Sequence, residues 1–338
     1  MSAIILALVL FGCQKTAPEA LNETIYVERN GAKMPVYVRG NITSNKMIIV
    51  VHGGPGGNGL EYRSGVYSNM LEAEFAVAYW DQRGQGMSQG NYGIDAVSID
   101  EMVDDLRAVV LTMKNAYNSD LQVFLLGHSW GGTLTSAFLV KDDNQSLCSG
   151  WIEADGAHDI PLLNIEAIKM FQTVGEEQIA LGNSVDSWTE ILDWAKGVDT
   201  NSIGIETGGE INSKAYEAED LLFNDGILAS GEFSVPDLFS PTNLLTSTIS
   251  GNFTSGILTP EVEIAAYTDS LDQVVIPCLF LWGQYDFVVP PALGISALNK
   301  VSSTEKRLII YGKSGHSPMS NEGPIFAQDI IDFINELN

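Results

Sequence analysis

The sequence predicts an α/β fold: a mostly parallel, twisted sheet flanked by helices, with a mainly helical insertion near its middle. Three observations carry that expectation. Short apolar runs alternate with helix-like stretches up to residue 156 and again from 272, the pattern of a wound parallel sheet. Gly127-His128-Ser129-Trp130-Gly131 stands between an apolar run and a helix-like stretch, the setting of a serine held on a sharp strand-to-helix turn. Between 157 and 271 the alternation stops. Helix-like segments holding Phe171, Trp188, Trp194 and Phe223 are separated there by polar Gly, Ser, Asn and Thr clusters, and interruptions of that length commonly form lids.

Residues 22–40 alternate about Asn30-Gly31, a strong two-residue hairpin signal. Residues 46–51 form a third strand, apolar from Met47 to Val51, that runs into His52-Gly53-Gly54-Pro55-Gly56-Gly57. Another short strand over 75–80 ends at Asp81-Gln82-Arg83-Gly84, where Arg83 is expected to tie strand-end loops together. Ser98-Ile99-Asp100-Glu101 is a capping box opening a helix whose apolar face carries Met102, Leu106, Val109, Val110 and Met113. Next come the strand at 121–126, the serine turn with its helix, and a sixth strand at 150–154. Strands at 278–281 and 307–311, with helices near 291–301 and 324–337, complete the sheet. The expected division is therefore a core of 24–156 and 272–338, with a cap of 157–271 inserted after the sixth strand.

A nucleophilic serine needs a base, a carboxylate to orient that base, and donors for an oxyanion. The chain has four histidines. His128 lies within the serine turn, His52 opens the glycine-rich loop, and His158 enters the insertion. His316 remains, in a Ser/Gly loop after the strand at 307–311, and Asp286 follows the strand at 278–281. An isolated Asp after a strand is commonly a turn or helix cap, and an isolated loop His is commonly a surface residue. Here each follows a successive strand, in the order Ser, Asp, His, which is the α/β-hydrolase order. Ser129, Asp286 and His316 are thus the expected triad. The backbone N–H of Trp130 is one expected oxyanion donor, and that of Gly54 the other, with Gly53 as the alternative. The glycine-rich loop lacks the lysine and serine of a phosphate cradle.

Five segments together resemble the proline iminopeptidase family of serine peptidases: HGGPGG (52–57), DQRGQGMS (81–88), GHSWGG (127–132), GQYDFVVP (283–290) and SGHSP (314–318). That resemblance implies a serine hydrolase with a helical cap that releases an N-terminal residue, often proline, from small peptides. It also implies acidic residues facing the substrate's α-ammonium. Candidates are Glu153 and Asp155 after a strand, and Glu206, Glu210, Glu217 and Glu219 in the insertion, with Glu153 and Glu217 carried forward as substrate-binding residues. Two other readings stay open: a carboxylesterase acting on small neutral esters, and a non-catalytic ligand-binding protein on a hydrolase scaffold. Dehalogenase and epoxide hydrolase chemistry is disfavoured, because those families attack through an aspartate where this chain has Ser129. No cofactor or metal is expected.

The 338 residues carry 17 Lys+Arg against 43 Asp+Glu, a formal charge of −26. Such a surface repels nucleic acid and anionic membrane, so neither is an expected partner; the substrate implied by the resemblance and the serine chemistry is a small peptide or ester. An apolar run over 3–12 precedes Cys13 and the polar Gln14-Lys15-Thr16, resembling a bacterial lipoprotein signal. On that reading residues 1–12 are a signal peptide, Cys13 bears lipid, 13–23 is a tether, and the protein is exported and anchored. The first basic residue is Lys15, so a cytoplasmic chain with an apolar tail is the alternative. Cys148 and Cys278 lie near the starts of strands expected to neighbour each other; free buried thiols are favoured over a bridge.

Overall fold

In a computed structural model, residues 20–231 and 244–337 are described, the side chains of 244–248 and 250 aside. The expected signal segment and the expected lipidation at Cys13 lie outside the described residues. Ala20–Arg29 (β1) and Ala32–Asn41 (β2) pair antiparallel about Asn30 and Gly31, which sit at φ 43° and 77°. Lys46–Val51 (β3) and Ala76–Trp80 (β4) run parallel to each other. Gln89–Gly90 (β5), too short to announce itself in the sequence, joins the edge of β2. Gln122–His128 (β6), Gly150–Ala154 (β7), Cys278–Gly283 (β8) and Lys306–Tyr311 (β9) extend the parallel part. The sheet order is β1-β2-β4-β3-β6-β7-β8-β9. Because β5 intervenes, the insertion follows the seventh strand in chain order.

Helices cover both faces, which explains the unbroken apolar strands. Met47, Ile49 and Val51 of β3 pack with Leu106 and Val110 of Ile99–Ala116 (α2), and with Leu134 and Phe138 of Trp130–Val140 (α3). Ile48 and Val50 face the other way, toward Tyr67 and Leu71 of Gly65–Glu74 (α1) and Phe326 and Ile330 of Gly323–Glu336 (α10). Between β7 and β8 run Ile160–Leu181 (α4), Val185–Gly197 (α5), Ile205–Asn224 (α6) and Leu244–Val262 (α7). Pro291–Lys300 (α8) and the short Pro318–Asn321 (α9) flank β9. Parallel strands end at one edge of the sheet, so the loops after β3, β6, β7, β8 and β9 gather there. Cys148 and Cys278 are free and buried. Among the described residues no helix is long and apolar enough to cross a membrane.

Half of the capping box forms. Ser98 accepts the Glu101 N–H at 3.1 Å, but the Glu101 carboxylate turns to Arg29 and to Asn30 Nδ2, the latter at 2.8 Å. It joins an ion cluster centred on Arg83 and Asp105, both fully buried. Arg83 forks onto Asp105 at 2.7 and 2.6 Å and donates to the carbonyls of Asn30 and Arg29 at 3.2 Å. The pair thus staples the hairpin and the β4 loop to α2. Removing one member of a buried pair strands the other, so Asp105→Asn should cost about 3–5 kcal/mol. Urea denaturation measures this, and a loss below about 1 kcal/mol, the range of an exposed pair, would contradict it.

Candidate active site

Ser129 occupies the turn between β6 and α3 with φ 55° and ψ −123°. A non-glycine residue there carries roughly 1–3 kcal/mol of strain, which the surroundings must hold. They hold it by backbone bonds: Ser129 N–H donates to Ala154 O at 3.3 Å, and Ser129 O accepts Gly132 and Ala157 N–H at 2.8 and 2.9 Å. The two glycines of the pentapeptide answer to other neighbours than the serine. A Cβ on Gly131 would overlap the carbonyl of Val51, and one on Gly127 would lie 2.6 Å from Gly131 O and Thr135 Oγ1. They let α3 approach the ends of β3 and β6.

His316 is held on three sides. Its Nδ1 donates to Asp286 Oδ2 at 2.9 Å, its N–H donates to Glu219 Oε2 at 3.0 Å, and its carbonyl accepts His128 Nε2–H at 2.8 Å. Nε2 has no hydrogen-bond partner among the described residues, and neither does the Ser129 hydroxyl. Such contacts commonly close only when substrate arrives. Burial lowers the His316 pKa, with Asp155 and Glu219 pulling it back up, so the ring is neutral and able to accept a proton at neutral pH.

Three carboxylates crowd this imidazole. Asp286 Oδ1 accepts Val289 N–H at 2.7 Å, and the Val288 N–H also bonds the carboxylate. Glu219 accepts from Phe287, Val288 and His316. Asp155, at φ 45°, accepts Gly283 N–H alone, at 2.9 Å, and its side chain bonds the Asp286 carboxylate. Burial raises all three pKa values, those of Asp155 and Asp286 well above the usual range. Asp155 has the fewest donors, so it is the one that stays protonated, leaving Asp286 charged against His316.

The glycine-rich loop is braced rather than free. Gly53 N–H donates to Tyr62 Oη at 2.8 Å, which removes Gly53 as an oxyanion donor and leaves Gly54. Gly54 sits at φ 133°, open to glycine, and its N–H has no partner among the described residues. Trp130 is the first residue of α3, where an N–H has no acceptor one turn back. Tyr62 Oη in turn meets His128 Nδ1 at 2.5 Å, so the loop and the His316 carbonyl are linked through one tyrosine and one histidine. Gln82 adds a second brace: its Nε2 donates to His52 O at 2.9 Å and its Oε1 accepts Trp130 Nε1–H at 2.8 Å. His52, pushed down to about 4 by burial, stays neutral and serves this scaffold.

Ser129, Gly54 and Trp130 line a cavity of about 400 Å³ roofed by residues of α4, α6 and α7. Neither proposed substrate-binding acid reaches it. Glu153 is fully buried on β7 and pairs with His158 Nδ1 at 2.9 Å, because strand alternation puts it on the same side as Trp151, the face packed by α2 and α3. Glu217 lies on the outer side of α6 and pairs with Lys214 at 2.6 Å. The carboxylate lining the cavity is Glu263, just past α7, beside Gly208 of α6. It has no ion-pair partner among the described residues, and burial raises its pKa. Nothing in the sequence separates Glu263 from the other 42 acidic residues, since only the return of the chain after α7 brings it over the site. Among the described residues no group of three His, Cys, Asp or Glu side chains could hold a metal ion.

Comparison with known proteins agrees with this architecture. The family model described as "Serine aminopeptidase, S33" matches residues 43–180. The "Probable aminopeptidase YbaC" of Bacillus subtilis (strain 168) is 25% identical over 307 residues, covering 88% of this chain and 92% of the relative. A proline iminopeptidase of Saccharolobus solfataricus is 23% identical over 303 residues, covering 87% of this chain and 86% of the relative. Among solved structures, an esterase from Exiguobacterium antarcticum superimposes with a TM-score of 0.61 at 18% identity, covering 93% of this chain and all of that one. At such identity the likeness speaks to the fold alone.

Proposed function

Since the chain is an α/β hydrolase akin to the serine aminopeptidases, we propose that it is a serine hydrolase that releases N-terminal residues from short peptides by acyl transfer through Ser129, His316 and Asp286. In the first step His316 Nε2 takes the Ser129 proton as the oxygen attacks the carbonyl carbon. Asp286 fixes the Nδ1–H tautomer and stabilises the imidazolium. The Gly54 and Trp130 N–H groups bind the oxyanion, where each such donor is worth about two to three orders of magnitude in rate. His316 then protonates the leaving amine, and water releases the acyl group by the reverse route.

The observation that carries the aminopeptidase reading is that Ser129 and the partly buried Glu263, which has no ion-pair partner among the described residues, line one cavity. Elsewhere the acidic surface is solvated and screened; inside the cavity a carboxylate meets an α-ammonium with little competing water. Glu263→Gln should therefore raise KM for a free-amine prolyl arylamide about tenfold or more, roughly 1.4 kcal/mol, while leaving a short p-nitrophenyl ester nearly unaffected. The test compares prolyl arylamide, its N-acylated counterpart and that ester on both proteins. Equal rates on the first two, or an unchanged preference in Glu263→Gln, would favour carboxylesterase activity instead. No turnover of any of them would favour the ligand-binding reading.

A further inference from the structure

Glu219 does more than occupy the insertion. From α6 it crosses to the two loops that carry Asp286 and His316. Its Oε1 accepts Phe287 N–H at 3.2 Å, its Oε2 accepts His316 N–H at 3.0 Å, and Val288 N–H also bonds it. One carboxylate thus spans the residues that follow Asp286 and the backbone of His316 itself. The chain makes room for it: a Cβ on Gly315 would overlap Glu219, whose atoms are its three nearest neighbours. A second tie follows downstream of α6, where Ala229 N–H donates to Lys313 O and Asn321 Nδ2 to Ala229 O, both at 2.8 Å.

We propose that Glu219 is a positioning residue that makes docking of the α4–α7 insert and alignment of His316 a single event. While α6 is seated, the carboxylate fixes the backbone of both loops and sets a negative charge beside the ring that must become cationic. When α6 lifts, three backbone N–H groups lose their acceptor together and the His316–Asp286 geometry slackens. The inference rests on the acyl-transfer reading of Ser129, His316 and Asp286. The groups facing His316 are Asp286 after β8, Asp155 after β7, His128 at the end of β6 and Glu219 on α6, with Tyr216 of α6 close to Glu219 and Asp286.

The test follows fluorophosphonate labelling of Ser129 against pH in the full chain, together with the His316 titration by NMR. Glu219→Gln keeps the shape and loses the charge. Labelling should slow about tenfold, and the acidic limb should move to lower pH, because a contribution that raises the His316 pKa is gone. Gly315→Ala should slow labelling by up to ~100-fold, the scale of a 1 Å misplacement. In a Glu219→Ala background the same glycine change should add almost nothing. A purely structural Glu219 would lower stability yet leave the pH limb in place. Overturning results are an unmoved limb and titration in Glu219→Gln, or full additivity of the two substitutions. If the wild type resists labelling, the acyl-transfer reading fails, and the NMR titration of His316 alone decides whether Glu219 positions it.

Discussion

Ser129→Ala should lower kcat by on the order of 10⁶ and abolish the acylation burst, with the folded protein left intact. The magnitude follows from removing the nucleophile of a relay whose members act as one unit. The intact fold follows from the structure. The Ser129 hydroxyl has no hydrogen-bond partner among the described residues, and its backbone bonds to Ala154, Gly132 and Ala157 do not involve the side chain. Alanine pays the same strain at φ 55° as serine does. A pre-steady-state burst assay beside a thermal melt reads both halves. Hydrolysis that persists at wild-type rate would remove Ser129 from the chemistry.

Asp286→Asn should lower kcat by about 10⁴, since an amide offers its own N–H to His316 Nδ1 and favours the wrong tautomer. Stability should move the opposite way. Burial, and then the charge of Glu219, raises the Asp286 pKa well above its unfolded value. A carboxyl whose folded pKa is raised binds its proton more tightly when folded, so stability falls as pH rises from the unfolded pKa through the folded one. The asparagine does not titrate, and the variant should melt no lower than wild type at neutral pH and higher as the pH increases. Melts between pH 4 and 9 would show it; a variant that loses stability across that whole range contradicts the account of crowded carboxylates.

Much of this was legible in the sequence because the informative signals are local. Unbroken apolar runs marked β3, β6 and β8, Asn30-Gly31 marked the hairpin, and Ser98 marked the start of α2. The glycines around Ser129 flagged the turn, although their contacts with Val51 and Thr135 differ from the crowding of serine that the pattern suggests. Other features were hidden for physical reasons. Helix α1, built from Gly, Val, Tyr, Ser and Asn among others, has weak intrinsic preference and is held by packing on α10 and β2. The half-made capping box reflects competition from Arg29, 72 residues distant in the chain. Glu153 looked available because it follows an apolar strand, yet strand alternation turns it to His158 and away from solvent. Glu219 and Glu263 gain their character from where α6 and the end of α7 come to rest, which depends on tertiary packing rather than on neighbours in sequence. His128 looked like a bystander of the serine turn; its two ring nitrogens bridge Tyr62 and the His316 carbonyl.

The most direct measurement is a crystal structure of the protein after reaction with a fluorophosphonate. Serine attack through an activated hydroxyl predicts a phosphorus–oxygen bond at residue 129, a phosphoryl oxygen about 3 Å from the backbone nitrogens of residues 54 and 130, and the ring of residue 316 within hydrogen-bonding reach of the adduct. An unmodified residue 129, or an adduct whose phosphoryl oxygen points away from both nitrogens, would contradict it.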